Sequence, residues 1–250
     1  MDTIRTEEMT WPDIKNAIDK GFNTIIFCIG SIEQHGPHLP EYTDSFWGDE
    51  VANRIAVKLG NTLQAPTIKV GNSAHHLDFP GTISLKPSTL KAVIRDYVES
   101  LVRHGFTSIL LFPSHGGNFR LTGEIITELT PLYPEVKIWG YTDLKRLLDM
   151  LAEFSANFGV TKAESGGHAG ESETSMILSL AEEFVVKERM DPGYIGSLGD
   201  KQISQIFDHG MKVLTENGIL GDPTKATADA GEFYIQKLAD FLVNEINKII

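Results

Sequence analysis

The sequence predicts an α/β protein with a mostly parallel central sheet, because two kinds of segment alternate along it. Short apolar runs rich in β-branched residues, at 23–30 and 107–112, are typical of strands buried on both faces. Between such runs lie longer segments whose apolar residues recur every three or four positions, which indicates helices. Strands that alternate with helices favour a parallel sheet covered on both faces.

The predicted elements follow one another with short connections. Pro12 begins the first helix and Gly21 ends it. Helices are expected at 11–20, 49–59, 88–105, 119–129, 144–154 and, as a short final element, 231–250. Strands are expected at 23–30, 65–70, 107–112 and 136–141. No repeat, low-complexity segment or Ser/Gly-rich linker divides the chain, so we expect one domain over residues 1–250.

Composition narrows the classes of partner. The 250 residues carry a net charge of −12, which repels phosphate backbones and anionic lipid, so nucleic acid and membrane are poor partners. No apolar run reaches the ~20 residues that span a bilayer, and the N-terminus does not resemble a signal peptide. The single cysteine, Cys28, lies in an apolar run and is expected to be a buried, inert thiol. We therefore expect a cytoplasmic protein.

The loop after the first predicted strand carries the strongest chemical signal. It reads GSIEQHGPHLPEYTD and holds Glu33, His35, His38, Glu41 and Asp44. Carboxylate and imidazole together suit zinc, manganese or iron. The two-residue spacing of Glu33 and His35 places both on one side of an extended segment. A polar loop with capping residues is the alternative, and it fits His38 best.

Two further segments carry candidate residues. His115, in SHGGN, follows the buried strand at 107–112, so it should meet Glu33 and His35 at the carboxyl edge of the sheet. His168, in SGGHAGESETS, has small neighbours, and Glu171 and Glu173 follow it at a helix start. Capping is the alternative for these residues. Two helical residues two positions apart differ by ~200° in direction, so only one of the two glutamates is expected to reach a metal.

The segment GNSAHHLDFPGTISL is a fourth candidate. We expect it to form a wall of the substrate pocket, with Ser73 and His76 as substrate-binding residues. Surface histidines beside a turn are an equally good reading of His75 and His76.

With these residues the sequence resembles the creatininase (creatinine amidohydrolase) family. The matching segments are GSIEQHGPHLP with the following TD, FPGTISL, SHGGN, GGHAGESETS and GDPTKATADAG, which spread over nearly the whole chain. The resemblance implies a three-layer α/β/α sandwich that binds two divalent metal ions (zinc, manganese or iron). It also implies a homo-oligomer, often a hexamer.

The resemblance assigns roles to individual residues. It implies that Glu33, His35, Asp44 and His115 are metal ligands, with Asp44 bridging the two ions. Creatininase has a glutamate two residues after this last histidine, whereas Gly117 stands there in this chain. That departure weakens creatinine as the substrate and makes Glu173 the best replacement ligand. His168 matches a family histidine placed for acid–base catalysis.

The expected function is hydrolysis of a C–N bond in a small cyclic amide or formamide by a metal-bridged hydroxide. One alternative is hydrolysis of a C–C bond in a cyclic ketone or keto-sugar by the same hydroxide. A second alternative is a metal-binding protein that is not an enzyme. An oxidoreductase that binds a dinucleotide is disfavoured, because no G-x-G-x-x-G follows the first strand.

Overall fold

Four parallel strands form the centre of the fold. The computed structural model describes residues 3–249. The strands are β1 (Thr24–Ile29), β2 (Thr62–Gln64), β3 (Ser108–Pro113) and β4 (Lys137–Gly140). Their order in the sheet is β2-β1-β3-β4, and β1 pairs with β3 over its full length. The chain therefore reverses its winding between β1 and β3, which is where open α/β sheets bind their ligands.

Helices cover both faces of this sheet, as predicted. They are α1 (Trp11–Asp19), α2 (Thr43–Leu59), α3 (Pro87–Arg103), α4 (Phe119–Leu129), α5 (Leu144–Ser155), α6 (Lys162–Ser165), α7 (Glu171–Ala181), α8 (Asp200–His209) and α9 (Ala228–Ile246). Helices α1, α3 and α4 pack on one face of the sheet, and α2, α5, α7 and α9 pack on the other. Within residues 3–249, no helix is both long and apolar enough to cross a bilayer.

Burial of β1 on both faces explains its continuous apolar sequence. Ile25 and Phe27 point into the core formed with α3 and α4, whereas Ile26 and Cys28 point into the core formed with α2 and α9. The Cys28 thiol lies 3.2 Å from Ser114 Oγ, and burial raises its pKa. A thiol so placed is inert, as expected from the sequence.

The strand predicted at 65–70 is wrong in position. The strand at this edge of the sheet is β2, which ends at Gln64, and Ile68 pairs with Ile29 only as an isolated bridge. Pro66 accounts for the difference, because proline has no N–H to give to a ladder.

Two helices differ from their predicted bounds. Helix α2 begins at Thr43 rather than 49, and its apolar stripe already starts with the buried Trp47. Asp44 is therefore held in the first turn of a helix and not in a loop. Helix α9 begins after Thr227, whose side chain accepts a hydrogen bond from the Ala230 N–H, and at 19 residues it is not short. The last residue of the predicted helix, 250, lies outside the described residues, as do residues 1 and 2 of the predicted domain.

Candidate metal centre

The candidate ligands gather at the carboxyl ends of β1 and β3. Glu33 and His35 lie on the loop after β1, and His115 follows β3 directly. The Asn118 side chain ties these loops together, because its Nδ2 donates to the Ile29 and Gly30 carbonyls and its Oδ1 accepts the Asn72 N–H. The sequence motif that contains Asn118 thus has a structural role beside its histidine.

Asp44 lies between two sets of side chains. Its Oδ2 is 3.1 Å from His115 Nδ1, and that nitrogen is also 3.1 Å from Glu33 Oε1. Its Oδ1 is 3.3 Å from His35 Nε2, which lies 3.7 Å from Glu173 Oε2. Each carboxylate oxygen of Asp44 therefore faces its own imidazole and its own second carboxylate. This is the arrangement that a bridging ligand requires.

The outer nitrogens of two imidazoles are engaged by backbone carbonyls. His35 Nδ1 donates to the Glu33 carbonyl and His115 Nε2 donates to the Asn72 carbonyl, each at 3.0 Å. In the neutral ring such a bond fixes the tautomer and leaves the inner nitrogen with a lone pair, as in most histidine ligands of metals. Because both lone pairs then face carboxylates, a cation between them removes the repulsion.

Glu33 provides a second sign that a cation belongs here. Its side chain is fully buried, and neither of its oxygens has a hydrogen-bond partner among residues 3–249. Besides His115, the imidazoles of His76 and His168 lie 3.3 and 3.7 Å from its Oε1. Three imidazole nitrogens around one buried carboxylate oxygen, with no hydroxyl or amide donor among residues 3–249, form a donor set that fits a divalent ion held by oxygen and nitrogen.

In the absence of metal, bound protons supply part of the positive charge that these carboxylates need. Burial opposes the charged form of His35, but Asp44, Glu173 and Glu33 outweigh it and raise the pKa of His35 to about 10. Burial and the Asp44 charge raise the pKa of Glu173 to about 8. The carboxylates are therefore crowded enough to need positive charge from either source.

His168 faces the same cluster from the loop before α7. Its Nε2 donates to the Gln34 carbonyl at 2.7 Å, so its Nδ1 carries the lone pair that points to Glu33. Burial and the nearby charge of His35 hold the pKa of His168 well below its usual range. Ala169 has a φ of 52°, a conformation rare for a residue with a side chain, and its N–H donates to Glu173 Oε2.

The two glutamates at the start of α7 face different surroundings. Glu173 reaches the cluster, whereas the Glu171 carboxylate accepts hydrogen bonds from the hydroxyls of Ser155, Ser175 and Tyr234. His38 also lies outside the cluster. Its Nε2 is 2.9 Å from Thr174 Oγ1, and burial lowers its pKa to about 4.

The predicted substrate-binding residues lie in different places. His76 is buried and lines the cavity over the cluster, so the reading of it as a surface histidine is wrong. Ser73 is fully buried with its Oγ 3.4 Å from the outer nitrogen of His115, a position that supports that ring.

Gln34 is a residue that sequence reasoning missed. Its Nε2 lies 2.9 Å from His76 Nδ1 and also donates to the Gly218 carbonyl, while its Oε1 accepts the Gly36 N–H. Gln34 thus orients His76 through its side chain and His168 through its carbonyl. Its place between two ligands in the motif was the signal available in the sequence.

The backbone at Gly117 has no room for a side chain. A Cβ there would lie 2.2 Å from the Asn72 carbonyl oxygen, the acceptor that orients His115, and 2.6 Å from His115 Nε2. In this chain, therefore, residue 117 contributes no ligand side chain.

Comparison with known proteins decides the family. A family model described as creatinine amidohydrolase matches residues 7–246. The chain belongs to the creatininase family. Its predicted membership is thereby confirmed, as is the prediction that it is a metal-dependent hydrolase.

Relatives and a solved structure agree with this assignment. The mycofactocin precursor peptide peptidase of Mycolicibacterium smegmatis is 27% identical over 90% of this chain and 84% of its own length. The 3-dehydro-scyllo-inosose hydrolase of Thermotoga maritima is 25% identical over 98% of this chain and 83% of its own. A solved structure described as "Creatininase Mn" superposes with a TM-score of 0.83 at 21% identity, covering 99% of this chain and 98% of that one. This likeness confirms the α/β/α fold.

Proposed function

We propose that this creatininase-family enzyme hydrolyses the C–N bond of a small cyclic amide or formamide. The observation that carries the proposal is Asp44, whose two oxygens face separate imidazole–carboxylate sets. We assign the binding of two divalent ions to Glu33, His35, Asp44, His115 and Glu173. The creatinine amidohydrolase family and the peptidase relative support an amide as substrate.

The ions are zinc, manganese or iron, because these accept imidazole and carboxylate together. When bound, they supply Lewis acidity, which makes water a nucleophile near neutral pH and polarises a carbonyl oxygen.

The protein's own contribution is to hold and move protons. We assign proton transfer to His168 at Nδ1, the atom that faces the cluster: it would take a proton from the attacking water and give it to the leaving nitrogen. Its Nε2–H goes on donating to the Gln34 carbonyl, so the ring keeps its orientation during the transfer. His76 lies on the wall beside it and is positioned to contact the substrate. Ser73 acts through His115 in this arrangement.

The decisive experiment measures metal and turnover in one preparation. Protein purified without chelators is expected to carry up to two ions per chain by elemental analysis. A panel of formamides and five-membered cyclic amides is then assayed before and after chelation, and after zinc, manganese or iron(II) is restored. Absence of metal after supplementation would contradict the proposal, and so would turnover that survives chelation.

A second candidate function is cleavage of a C–C bond in a cyclic ketone or keto-sugar. The similarity to the Thermotoga hydrolase favours it. A cyclic 1,3-diketone added to the same panel separates the two, because its hydrolysis yields a keto acid and no amine. If the ions bind and no member of the panel is turned over, both candidate substrate classes are contradicted.

We further propose a single domain that assembles as a homo-oligomer in the cytoplasm. Exposed apolar side chains such as Trp11, Leu77 and Ile83, which are at least half exposed, support an interface between copies. Sedimentation velocity measures the size of the assembly, for which a hexamer is expected.

A further inference from the structure

A cavity of about 100 Å³ lies over the metal cluster, and its walls differ sharply from its floor. The floor is made of the imidazoles and carboxylates described above. The walls are apolar and come mainly from two helices, with Leu147, Leu148 and Leu151 on α5 and Ile203, Ile206 and Phe207 on α8. On each helix two of these residues are adjacent, and the third lies three and four residues from them, so each helix turns one apolar face to the cavity.

Charge is distributed just as unevenly. Among the described residues that line this cavity, none is lysine or arginine. An anionic group of a substrate would therefore have no partner along the walls, and burial of an unpaired charge is costly. The part of the substrate that lies against the walls must be neutral.

A second cavity lies beside the first. It measures about 560 Å³, and the two share Leu144, Leu148, Leu198 and Ile203 in their linings. Lys145 and Lys162 also line the second cavity, and both are ion-paired with Asp149. We call the two cavities together the tract and the four shared side chains the throat, an apolar boundary between the cluster side and the more polar space beyond it.

From this we infer that the substrate carries a neutral apolar substituent of several carbon atoms beside its scissile bond, and that the leucine throat between α5 and α8 binds this substituent. The inference rests on the proposed amide hydrolysis and narrows it. A small, wholly polar ring would leave the throat without contacts, whereas each methylene buried there improves binding about fourfold.

Hydroxamic acids test the throat without requiring turnover. Their head group chelates the metal and their tail occupies the tract. On zinc-loaded protein, calorimetry should show that hexanohydroxamate binds about 200-fold more tightly than acetohydroxamate, since it has four more methylenes. Adipic monohydroxamate, which has a tail of similar length that ends in a carboxylate, should lose most of this gain.

Two substitutions at Leu148 complete the test. Leu148→Asp places a charge in the throat, and Leu148→Trp fills the throat without a charge. Each should reduce the 200-fold ratio between the two Kd values to less than about tenfold. Leu132→Asp is the matched control, because this leucine is 57% exposed and lies outside both cavities, and it should keep the wild-type ratio. Melting temperatures show whether each variant is folded, and the Trp variant decides if the Asp variant is not.

The outcomes separate this inference from the function on which it rests. Equal Kd values for short and long tails on wild-type protein would overturn the apolar substituent and leave amide hydrolysis standing. A wild-type ratio in both Leu148 variants would place the tail elsewhere and would likewise overturn the throat. Failure of every hydroxamate to bind the zinc-loaded protein would overturn both proposals.

Discussion

Two fully buried glutamates, Glu171 and Glu33, are stabilised in opposite ways. Glu171 is surrounded by hydroxyl groups, and the side chains of Ser155, Ser175 and Tyr234 all donate to it. Glu33 has no hydrogen-bond partner among residues 3–249 and faces imidazoles and another carboxylate. Hydroxyl donors satisfy a carboxylate and hold it still, but they leave it no coordination site.

The difference shows how to tell a structural carboxylate from a metal ligand when both are buried. Burial alone does not separate them, since neither side chain has any exposed area. Their surroundings do, because Glu171 is met by hydroxyl donors whereas Glu33 faces imidazole nitrogens, which are candidate metal ligands themselves. Substitutions in each region should therefore affect different measurements.

The largest effect is expected at Asp44. Asp44→Ala removes the oxygens that serve both proposed ions, so both or nearly both should be lost and activity should fall by about 10³-fold or more. Elemental analysis and kcat/KM measure this. Asp229→Ala is the control, because Asp229 is an exposed acid in the first turn of α9, just as Asp44 lies in the first turn of α2.

Glu33→Ala distinguishes a ligand of one ion from the ligand that bridges both. It should lose mainly one ion, because Glu33 Oε1 lies 3.1 Å from His115 Nδ1, on the His115 side of Asp44. Full metal content in Asp44→Ala would show that the bridge is misassigned.

His168 comes next in expected effect. His168→Ala should keep its metal and its fold while kcat falls by ~10²–10⁴-fold, the usual loss when a general acid–base group is removed. Metal content, melting temperature and kcat are measured on one preparation, with the exposed His104→Ala as control. Loss of metal would make His168 a ligand, and an unchanged kcat would remove it from the mechanism.

Gln34 should have a smaller effect, because it acts through other side chains. Gln34→Met keeps the volume of the side chain but removes the donor at His76 Nδ1, and a fall of 10–100-fold in activity or metal affinity is expected. The ¹⁵N shifts of the His76 ring should change as well, which a general loss of packing would not produce. Gln236→Met is the control, since the Gln236 side chain donates to Asp240 on the same helix, α9.

Substitution of Tyr234 should change stability but neither metal content nor activity. Tyr234→Phe removes one hydroxyl from Glu171 and should lower the free energy of unfolding by about 1.5–3 kcal/mol, the range for a hydrogen bond to a charged group. Metal content and kcat should match the wild type. A change in either would mean that the Glu171 region is coupled to the cluster, and the comparison drawn above would fail.

The sequence predicts regular elements well where the apolar pattern is uninterrupted. The central strands β1 and β3 and helix α4 lie within a residue or so of their predicted positions. Their apolar side chains form patterns that indicate burial directly. The edge strand β2 was missed, since its short TLQ sequence resembles a loop and its Gln64 is engaged by Asp49 and Asn53.

The candidate site was also predicted only in part. The candidate ligands are of residue types that commonly bind metals. The parallel sheet predicts that the loops carrying them meet at its carboxyl edge. The tautomers set by the Asn72 and Gln34 carbonyls could not be foreseen, because backbone acceptors leave no mark in a sequence. The throat was missed for a similar reason: the leucines of α5 have the spacing of ordinary core residues.

The tight backbone at Gly117 has a consequence for folding. With no side chain possible there, the proposed site takes the outer ligand of its second ion from Glu173, far along the chain from Asp44. Bound ions would then act as a cross-link between the two halves of the chain, present only in the folded state. An ion at a hundred times its Kd stabilises a folded protein by about 2.7 kcal/mol. In this enzyme that free energy would favour the packing of α7 against α2 and α9, so that metal supply would affect how long the folded chain survives as well as its activity.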